Sequence, residues 1–375
     1  MMGDLGLAKM AALLAPGLVA VCLSYGLSLM LARGRFLLDR PTERSNHIGL
    51  TSRAGGVAIV AGFSVAAGLS ALLDPSTALF ALNIVAGAFL AFAVGFADDL
   101  VTLPPLWKFA GQIIAAGLFM LLFGPLQSGP LPLLGETALG AAGVVLTFFW
   151  IAGFMNAYNF MDGVNGIAAS CGAFALTGLA AAAAFFGAQG TGFVAALAAA
   201  ALIGFLPMNF PRGRLFMGDG GSQAAGFLIA ALALAAAIQT EGAVSALFMP
   251  TAMAPFLFDV AFTLAHRFRR RRNVLSAHSE HLYQLLVRLG ASHVQSTTIF
   301  LSLTALSTGA AITMLSLDPA LQWIVPASLG LLFVAPALRL YARARSAGLL
   351  AATAETDDAA TDEDVLHAPV AHAAE

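Results

Sequence analysis

The sequence predicts an all-α fold, a bundle of helices that spans a membrane several times. Of its 375 residues, 59% are hydrophobic and only 10% are charged, whereas a soluble domain carries about 25% charged residues. Mean hydropathy is +0.86, and apolar runs of the roughly 20 residues that a helix needs to cross the hydrocarbon recur along the chain. We therefore expect a multi-pass protein that contacts the lipid bilayer and has no nucleic-acid partner.

The apolar runs divide the chain into about 10–11 transmembrane helices. Two spans are rich in Ala and Gly, which lets helices pack closely in a membrane. The ninth span contains the stretch from Pro255 to Asp259, where we expect a broken or tilted helix. The eleven candidate spans are centred near Val21, Ser64, Gly87, Ala116, Leu146, Ala175, Leu197, Ile229, Ala254, Ala305 and Leu331.

Basic residues mark one side of these spans. Every Lys and Arg except Lys9 falls in a connection that follows an odd-numbered span. Cytoplasmic loops of membrane proteins carry the excess of Lys and Arg. We therefore expect the N-terminus on the outer side of the membrane and the C-terminus in the cytoplasm.

Composition separates one long domain from a short tail. Residues 1–350 carry the apolar runs and form one predicted transmembrane domain. Residues 351–375 are rich in Ala, Asp and Glu, which is typical of a disordered, solvated end. A role of this tail in binding a partner stays open.

The connection after the third span carries two adjacent carboxylates, Asp98 and Asp99, and then Lys108. Neighbouring carboxylates at a membrane edge repel each other unless a cation or a metal-bound phosphate lies between them. The pair therefore indicates a site for such a group. A helix cap or a solvated pair of acids is the alternative.

The connection after the fifth span gives the strongest polar signal. Asn156, Asn159, Asp162 and Asn165 lie together between two apolar runs. A charged residue at the centre of a membrane helix costs roughly 2.5–3.5 kcal/mol, so this cluster favours chemistry over structure. Its oxygens are the ligand type that Mg²⁺ prefers; a turn capped by Asx side chains is the alternative.

After the seventh span, Gly218 and Asp219 open the next apolar helix, followed by two more glycines. A glycine-rich turn at a helix N-terminus presents backbone N–H groups that favour phosphate, and Asp219 can hold a metal there. The turn is not a P-loop, because it lacks the Gly-Lys-Ser/Thr ending. Asp219 acting only as an N-terminal cap is the alternative.

Two more connections on the same side are basic. The first holds Arg53, and the ninth holds a run of four arginines that ends at Arg272, followed by His278 and His281. These groups suit phosphate contact or proton transfer. Charge compensation and anchoring to anionic lipid are the alternatives, and two histidines without a third ligand make a zinc site a weak interpretation.

All five polar connections are thus assigned to the cytoplasmic side. Metal ligands beside phosphate ligands are what metal-assisted phosphoryl transfer at a membrane surface requires. A secondary transporter fits less well, because its coupling carboxylates usually lie near the midplane between repeats and no repeat is visible here. An inactive scaffold for polysaccharide assembly is a third option.

In this order the motifs resemble those of the polyprenyl-phosphate N-acetylhexosamine-1-phosphate transferases (glycosyltransferase family 4). The loop from residue 277 to 284 looks like the O-antigen-initiating branch, and a phospho-MurNAc-pentapeptide transferase is the alternative. The resemblance implies a sugar-1-phosphate transferase that moves an N-acetylaminosugar 1-phosphate from a UDP-sugar to undecaprenyl phosphate, releasing UMP. The matching residues are Asp98, Asp99, Asn156, Asn159, Asp162, Gly163, Gly218, Asp219, His278 and His281.

The resemblance also implies roles for single residues. Asp219 and Asn159 would hold Mg²⁺, with Mn²⁺ as a substitute. Asp98, Asp99, Asp219 and His281 would be catalytic, the first two by positioning or deprotonating the lipid phosphate or by binding the metal complex indirectly. These residues would lie in the cytoplasmic active-site loops of one transmembrane catalytic domain, residues 1–350, in a bacterial inner membrane with a periplasmic N-terminus. Many members have Asp where this chain has Asn165, so a carboxylate-dependent role is excluded there; a homodimer is one option for its assembly. Substrate contacts would come from Arg53, Lys108, Asn156, Asp162, Asn165, Arg272 and His278.

Overall fold

A computed structural model describes residues 2–34, 36–39, 51–273 and 278–350. Most of the first connection, residues 40–50, lies outside the described residues. The predicted acidic tail, residues 351–375, lies outside them as well, so its disorder stays a prediction.

The described residues are predominantly helical, and ten helices are long and apolar enough to cross a membrane. This confirms the predicted polytopic bundle. The helices are α1 (Met2–Arg33), α2 (Gly55–Leu73), α3 (Ala78–Val101), α4 (Pro105–Phe123), α5 (Ala141–Phe160), α6 (Ile167–Phe185), α7 (Gln189–Asn209), α8 (Gly218–Gln239), α9 (Phe248–Ala252), α10 (Ala254–Arg269), α11 (Leu282–Arg288), α12 (His293–Met314) and α13 (Ile324–Ser346).

The ninth predicted span is not one continuous helix. It is divided into α9 and α10 at Met253, and Pro255 occupies the first turn of α10. Proline lacks a backbone N–H and is tolerated in the first turn of a helix, where that group has no intrahelical partner. The expected break therefore lies just before Pro255, and Asp259 lies within the second helix.

Helix α8 forms the centre of the bundle. Its residues are buried without interruption from Gly220 to Ala237, as expected for a helix that is apolar on every side. It packs against α3 and α5, and also contacts α2 and α7. The Ala-rich pair α6 and α7 packs most extensively of all, which agrees with close packing between small side chains.

Two short antiparallel sheets lie in connections, which the all-α expectation did not include. Strand β1 (Leu38–Asp39) pairs with β2 (Thr51–Ser52), and β3 (Ser128–Leu131) pairs with β4 (Gly135–Ala138). The second hairpin is fastened to the segment before α13, because the indole N–H of Trp323 donates to the Pro130 carbonyl oxygen at 2.6 Å.

The C-terminal ends of α3 and α5 meet the N-terminal ends of α2, α4 and α8 at one end of the bundle. We call this the polar end and define it by Asp98, Asn159 and Asp219. The β3–β4 hairpin lies at the opposite end. The structure therefore brings together the polar connections that the charge pattern had assigned to one side.

Candidate active site

Two carboxylates and a lysine form the centre of the polar end. The Lys108 Nζ pairs with Asp98 Oδ2 and lies 3.5 Å from Asp219 Oδ2. Asp98 is 8% exposed, and its second oxygen accepts from the Leu103 backbone N–H at 2.7 Å. One cation thus holds together two acids that lie more than a hundred residues apart in the chain.

Asp99 has a different position from Asp98. Its two oxygens accept from the backbone N–H groups of Asp219 and Gly220, at 3.0 Å and 2.9 Å. An acid at this place satisfies the free donors of a helix N-terminus and complements the helix dipole. Asp99 therefore caps α8, and it orients the residue that carries the Asp219 carboxylate.

Glycines allow this close approach of α3 to α8. A Cβ at Gly95 would fall on the backbone of Asp219. Gly218 has a positive φ of 73°, a conformation that side chains rarely adopt, and a Cβ there would meet the Arg53 carbonyl. The motif around residue 219 thus needs its glycines for packing and backbone geometry.

Arg53 is placed beside the cluster by backbone pairing. The amide of Phe216 donates to the Ser52 carbonyl at 2.8 Å, and Gly55 donates to the Phe216 carbonyl at 2.9 Å. The Arg53 guanidinium consequently lies 3.9 Å from Asp99 Oδ1. The Arg53 side chain is 40% exposed, so an incoming anion can reach it.

Two asparagines of α5, Asn156 and Asn159, which we call the amide motif, form hydrogen bonds in and beside the carboxylate cluster of Asp98, Asp99 and Asp219. The Asn159 Nδ2 donates to Asp219 Oδ1 at 3.1 Å and to Ser222 Oγ at 2.8 Å. Asn156 lies one turn deeper and exchanges hydrogen bonds with Gln112, at 2.9 Å and 3.0 Å. Asn159 thus belongs to the carboxylate cluster, while Asn156 joins α5 to α4 one helical turn away from it.

The structure separates Asp162 from Asn165. Asp162 is half-buried after α5; burial raises its pKa well above the ordinary value, and the charges of Asp219 and Asp99 raise it further. The Asn165 Nδ2 instead donates to the Pro211 carbonyl at 3.2 Å. Asp162 therefore lies close enough to Asp219 and Asp99 for their charges to act on it. Asn165 instead fixes the loop that precedes α8.

His281 is held by an acid that the motif analysis did not select. Asp259 is fully buried, and its Oδ1 lies 3.0 Å from His281 Nδ1. The same carboxylate accepts from the backbone N–H groups of Leu282 and Tyr283, at 2.9 Å and 3.2 Å. A lone acid inside a membrane span was the available sequence signal, but its partner, 22 residues away, was not evident.

Helix α5 connects this histidine to the carboxylate cluster. The Phe160 ring stacks on His281 with centroids 6.0 Å apart, and Phe160 directly follows Asn159. The Tyr283 hydroxyl donates to the Phe160 carbonyl at 2.9 Å. The segment that carries His278 and His281, which we call the histidine loop, therefore adjoins the amide motif, and the two form walls of one site.

His278 and Arg272 lie further from the carboxylates. The His278 and His281 rings are 5.0 Å apart; burial lowers the pKa of His278 to about 3, helped by His281 and Arg267. Arg272 is buried and pairs with Glu280 at 2.5 Å, and Arg267 pairs with the same oxygen at 3.0 Å. The structure thus makes His278 neutral at physiological pH and gives Arg272 a partner within the protein.

The amino-acid sequence of this chain is similar to those of known proteins. Residues 81–237 match the family model described as Glycosyl transferase family 4. The chain is 30% identical over 312 residues to the decaprenyl-phosphate N-acetylglucosaminephosphotransferase of Mycobacterium leprae (strain TN), covering 74% of this chain and 77% of the relative.

This chain belongs to glycosyl transferase family 4, the polyprenyl-phosphate N-acetylhexosamine-1-phosphate transferases. The enzyme of the same name from Mycolicibacterium smegmatis (strain ATCC 700084 / mc(2)155) is 31% identical over 303 residues, with 73% and 74% coverage. The undecaprenyl-phosphate alpha-N-acetylglucosaminyl 1-phosphate transferase of Escherichia coli (strain K12) is 28% identical over 283 residues, with 72% and 74% coverage. The transferase class thus replaces the transporter interpretation.

The donor set of this family member is compatible with a divalent cation that arrives with its substrate. Among the described residues, no three His, Cys, Asp or Glu side chains form a metal cage by themselves. Mg²⁺ is commonly held by one or two carboxylates together with substrate phosphates and water. Three acids, Asp98, Asp99 and Asp219, lie beside two cations, Lys108 and Arg53, so a divalent cation would supply the positive charge that favours the ionised form of all three acids.

Proposed function

We propose that the protein transfers an N-acetylaminosugar 1-phosphate from a UDP-sugar to undecaprenyl phosphate, releasing UMP. The observation that carries the proposal is the cluster of Asp98, Lys108 and Asp219 at the ends of α3, α4 and α8. At the ends of membrane-spanning helices, a lipid-borne phosphate and a soluble donor would meet. The relatives named above act on decaprenyl or undecaprenyl phosphate.

The reaction exchanges one phosphorus–oxygen bond for another. An oxygen of the lipid phosphate attacks the β-phosphorus of the donor, and the bond between that phosphorus and the bridging oxygen breaks. The electron pair of the broken bond leaves with UMP, and a lipid-linked sugar diphosphate remains. Catalysis of such a transfer rests on positioning and charge stabilisation.

We assign the acidic residues different parts in this reaction. Asp98 takes the proton of the attacking lipid phosphate, because its carboxylate lies beside Lys108, which would bind that phosphate. Asp99 positions Asp219, because the backbone N–H groups of α8 use both of its oxygens. Lys108, which lies between Asp98 and Asp219, binds phosphate oxygens.

Asp219 and the Oδ1 atom of Asn159 would hold Mg²⁺, with Mn²⁺ as a substitute. A bound divalent ion would neutralise charge that develops on the diphosphate. Arg53 would contact phosphate from the exposed rim of the cluster, and the half-buried Asp162 would face the donor. Removing the metal with a chelator should abolish transfer, and added Mg²⁺ should restore it.

The remaining candidates lie on the histidine side. His281 would contact the donor phosphates or sugar, and neutral His278 would accept a hydrogen bond there. Arg272 would act through Glu280 rather than by direct contact, and Asn156 and Asn165 would support the loops. This loop resembles the O-antigen-initiating branch, so we place the enzyme at the start of a surface polysaccharide such as that of lipopolysaccharide, in the inner membrane, with a homodimer as one possible assembly.

A donor panel tests the proposal. Purified protein with Mg²⁺ and undecaprenyl phosphate is given UDP-GlcNAc, UDP-GalNAc, their 6-deoxy analogues and UDP-MurNAc-pentapeptide, and UMP release is measured. We expect release with at least one UDP-N-acetylaminosugar. Release with the pentapeptide donor alone would support the peptidoglycan-type alternative, and no release with any donor in folded protein would overturn the proposal.

A matched pair of variants tests the site. Asp219→Asn should reduce transfer by orders of magnitude without changing expression. Asp74→Asn is the control, because Asp74 caps a short helix at the opposite end of the bundle. Equal activity of the two variants would remove Asp219 from the proposed metal site.

A further inference from the structure

A groove outside the active site lies between α10, α11, α12 and α13. Its volume is about 610 Å³, which is within the range of small-molecule and cofactor sites. Phe258, Phe333, Leu286 and Leu340 are among the residues that line it. Among the described residues, none of those assigned to the transfer reaction lines this groove, so the reaction does not explain it.

The groove is lined by apolar residues and by two arginines. Every residue that lines it is apolar except Arg339 and Arg343. These two arginines lie one turn apart on the C-terminal part of α13, so they share a helix face. That part of α13 lies at the polar end, since the Tyr341 hydroxyl donates to the Glu280 carbonyl at 2.8 Å.

The charge of these arginines is not compensated within the described part of the chain. Neither Arg339 nor Arg343 forms an ion pair there, whereas the nearby Arg267 and Arg272 both pair with Glu280. The described residues that line the groove include no acid. The occupant that best complements this lining is apolar over most of its length and carries a negative charge beside Arg339 and Arg343.

We propose that this groove binds an anionic phospholipid of the bilayer, with an acyl chain along Phe258 and Phe333 and the phosphate on Arg339 and Arg343. A soluble anion would leave the apolar part unfilled, and a neutral lipid would leave both arginines without a counter-charge from the described residues. The polyprenyl phosphate acceptor is a poorer match. Its phosphate must reach Asp98 and Lys108, and no contact joins the two arginines to those residues in the described structure.

The groove shares a wall with the histidine loop. Leu282 and Leu286 of α11 line it, and Leu282 directly follows His281. The Leu282 backbone N–H is also held by Asp259. A bound lipid packs against α11 and stabilises the position of His281, so occupancy raises the activity of the transferase; this consequence rests on the proposed function.

Lipid binding is tested without reference to activity. The protein is placed in phosphatidylcholine nanodiscs with or without phosphatidylglycerol, released into the gas phase, and its retained lipids are counted by native mass spectrometry. Wild type should retain phosphatidylglycerol selectively. The double variant Arg339→Gln/Arg343→Gln should bind it roughly 10- to 30-fold more weakly, since each basic residue near a lipid surface contributes about 1 kcal/mol.

Arg345→Gln is the matched control. Arg345 is an exposed arginine at the same end of α13, but it does not line the groove. It should retain phosphatidylglycerol as wild type does. Equal retention by the double variant and wild type, or equal loss in the control, would overturn the proposal.

A second readout separates this proposal from the function of the enzyme. Phosphatidylglycerol should stimulate UMP release by wild type and by Arg345→Gln, but not by the double variant, with the KM for undecaprenyl phosphate unchanged. A raised KM for undecaprenyl phosphate would instead assign the groove to the acceptor. Selective retention without any UMP release in wild type would support the lipid site and reject the proposed reaction.

Discussion

Replacing Asp259 with asparagine tests how the histidine loop is positioned. Asp259 is fully buried and lies at the junction of α10 and α11. Its Oδ1 contacts His281 Nδ1, the Leu282 N–H and the Thr263 hydroxyl at 3.0, 2.9 and 3.1 Å. Its Oδ2 accepts from the Tyr283 N–H at 3.2 Å, so the two oxygens have different hydrogen-bond partners.

The expected magnitude follows from these contacts. Asparagine retains one oxygen for the Oδ1 partners, but it presents an NH₂ group to the Tyr283 N–H. The lost hydrogen bond to a charged acceptor and the unpaired donor together cost about 2 kcal/mol of folding free energy. The start of α11 also shifts, and a displacement of about 1 Å at a catalytic group lowers activity roughly 100-fold.

A double-mutant cycle with His281→Ala provides the assay. If Asp259 acts through His281, Asp259→Asn should lower kcat/KM roughly 100-fold in wild type but only slightly in the His281→Ala background. Asp318→Asn is the control, because Asp318 caps an exposed short helix at the far end of the bundle. Equal losses from Asp259→Asn in both backgrounds would refute this reasoning, since independent effects add.

Three further outcomes follow from other contacts. Asp98→Asn should abolish transfer, because the proposed proton acceptor is lost. Asp99→Asn should lower the unfolding free energy by about 1–3 kcal/mol, because its hydrogen bonds to the N-terminus of α8 are weakened; an unchanged melting temperature would contradict the capping role of Asp99. Gly95→Ala places a Cβ on the backbone of α8 and should cost about 1–3 kcal/mol, unlike Gly117→Ala, which has open space. Because the folded pKa of His278 is about 3 and its ordinary value is 6.5, its neutral burial loses stability as pH falls through that interval. Between about pH 7 and about pH 5, wild type should therefore lose more thermal stability than His278→Gln; an equal loss in both would exclude this titration.

Some features were accessible from the sequence because they depend on local chemistry. The length of each apolar run is a property of neighbouring residues, so ten helices of the bundle agree with the predicted spans. The bias of Lys and Arg also grouped the polar connections, and the structure brings the connections after α3, α5 and α7 together. The discontinuity before α10 was signalled by Pro255, although its place at Met253 was not.

Other assignments depended on contacts between distant residues. Asp98 and Asp99 are adjacent and chemically identical, yet one pairs with Lys108 and the other caps α8. Arg272 was predicted to bind substrate, but it lies in a buried pair with Glu280. Spacing could not separate these cases, because the deciding partner belongs to another element.

The sequence by itself determined that this chain crosses a membrane, that its polar motifs share one end, and that those motifs are typical of phosphoryl transfer. Each of these follows from hydrophobicity, charge and residue type along short segments. Only the tertiary structure decided which acid faces the lysine, which acid holds His281, and where an apolar groove ends in two arginines. A hydrogen bond or an ion pair depends on atoms within a few ångströms, and helix packing alone sets those distances.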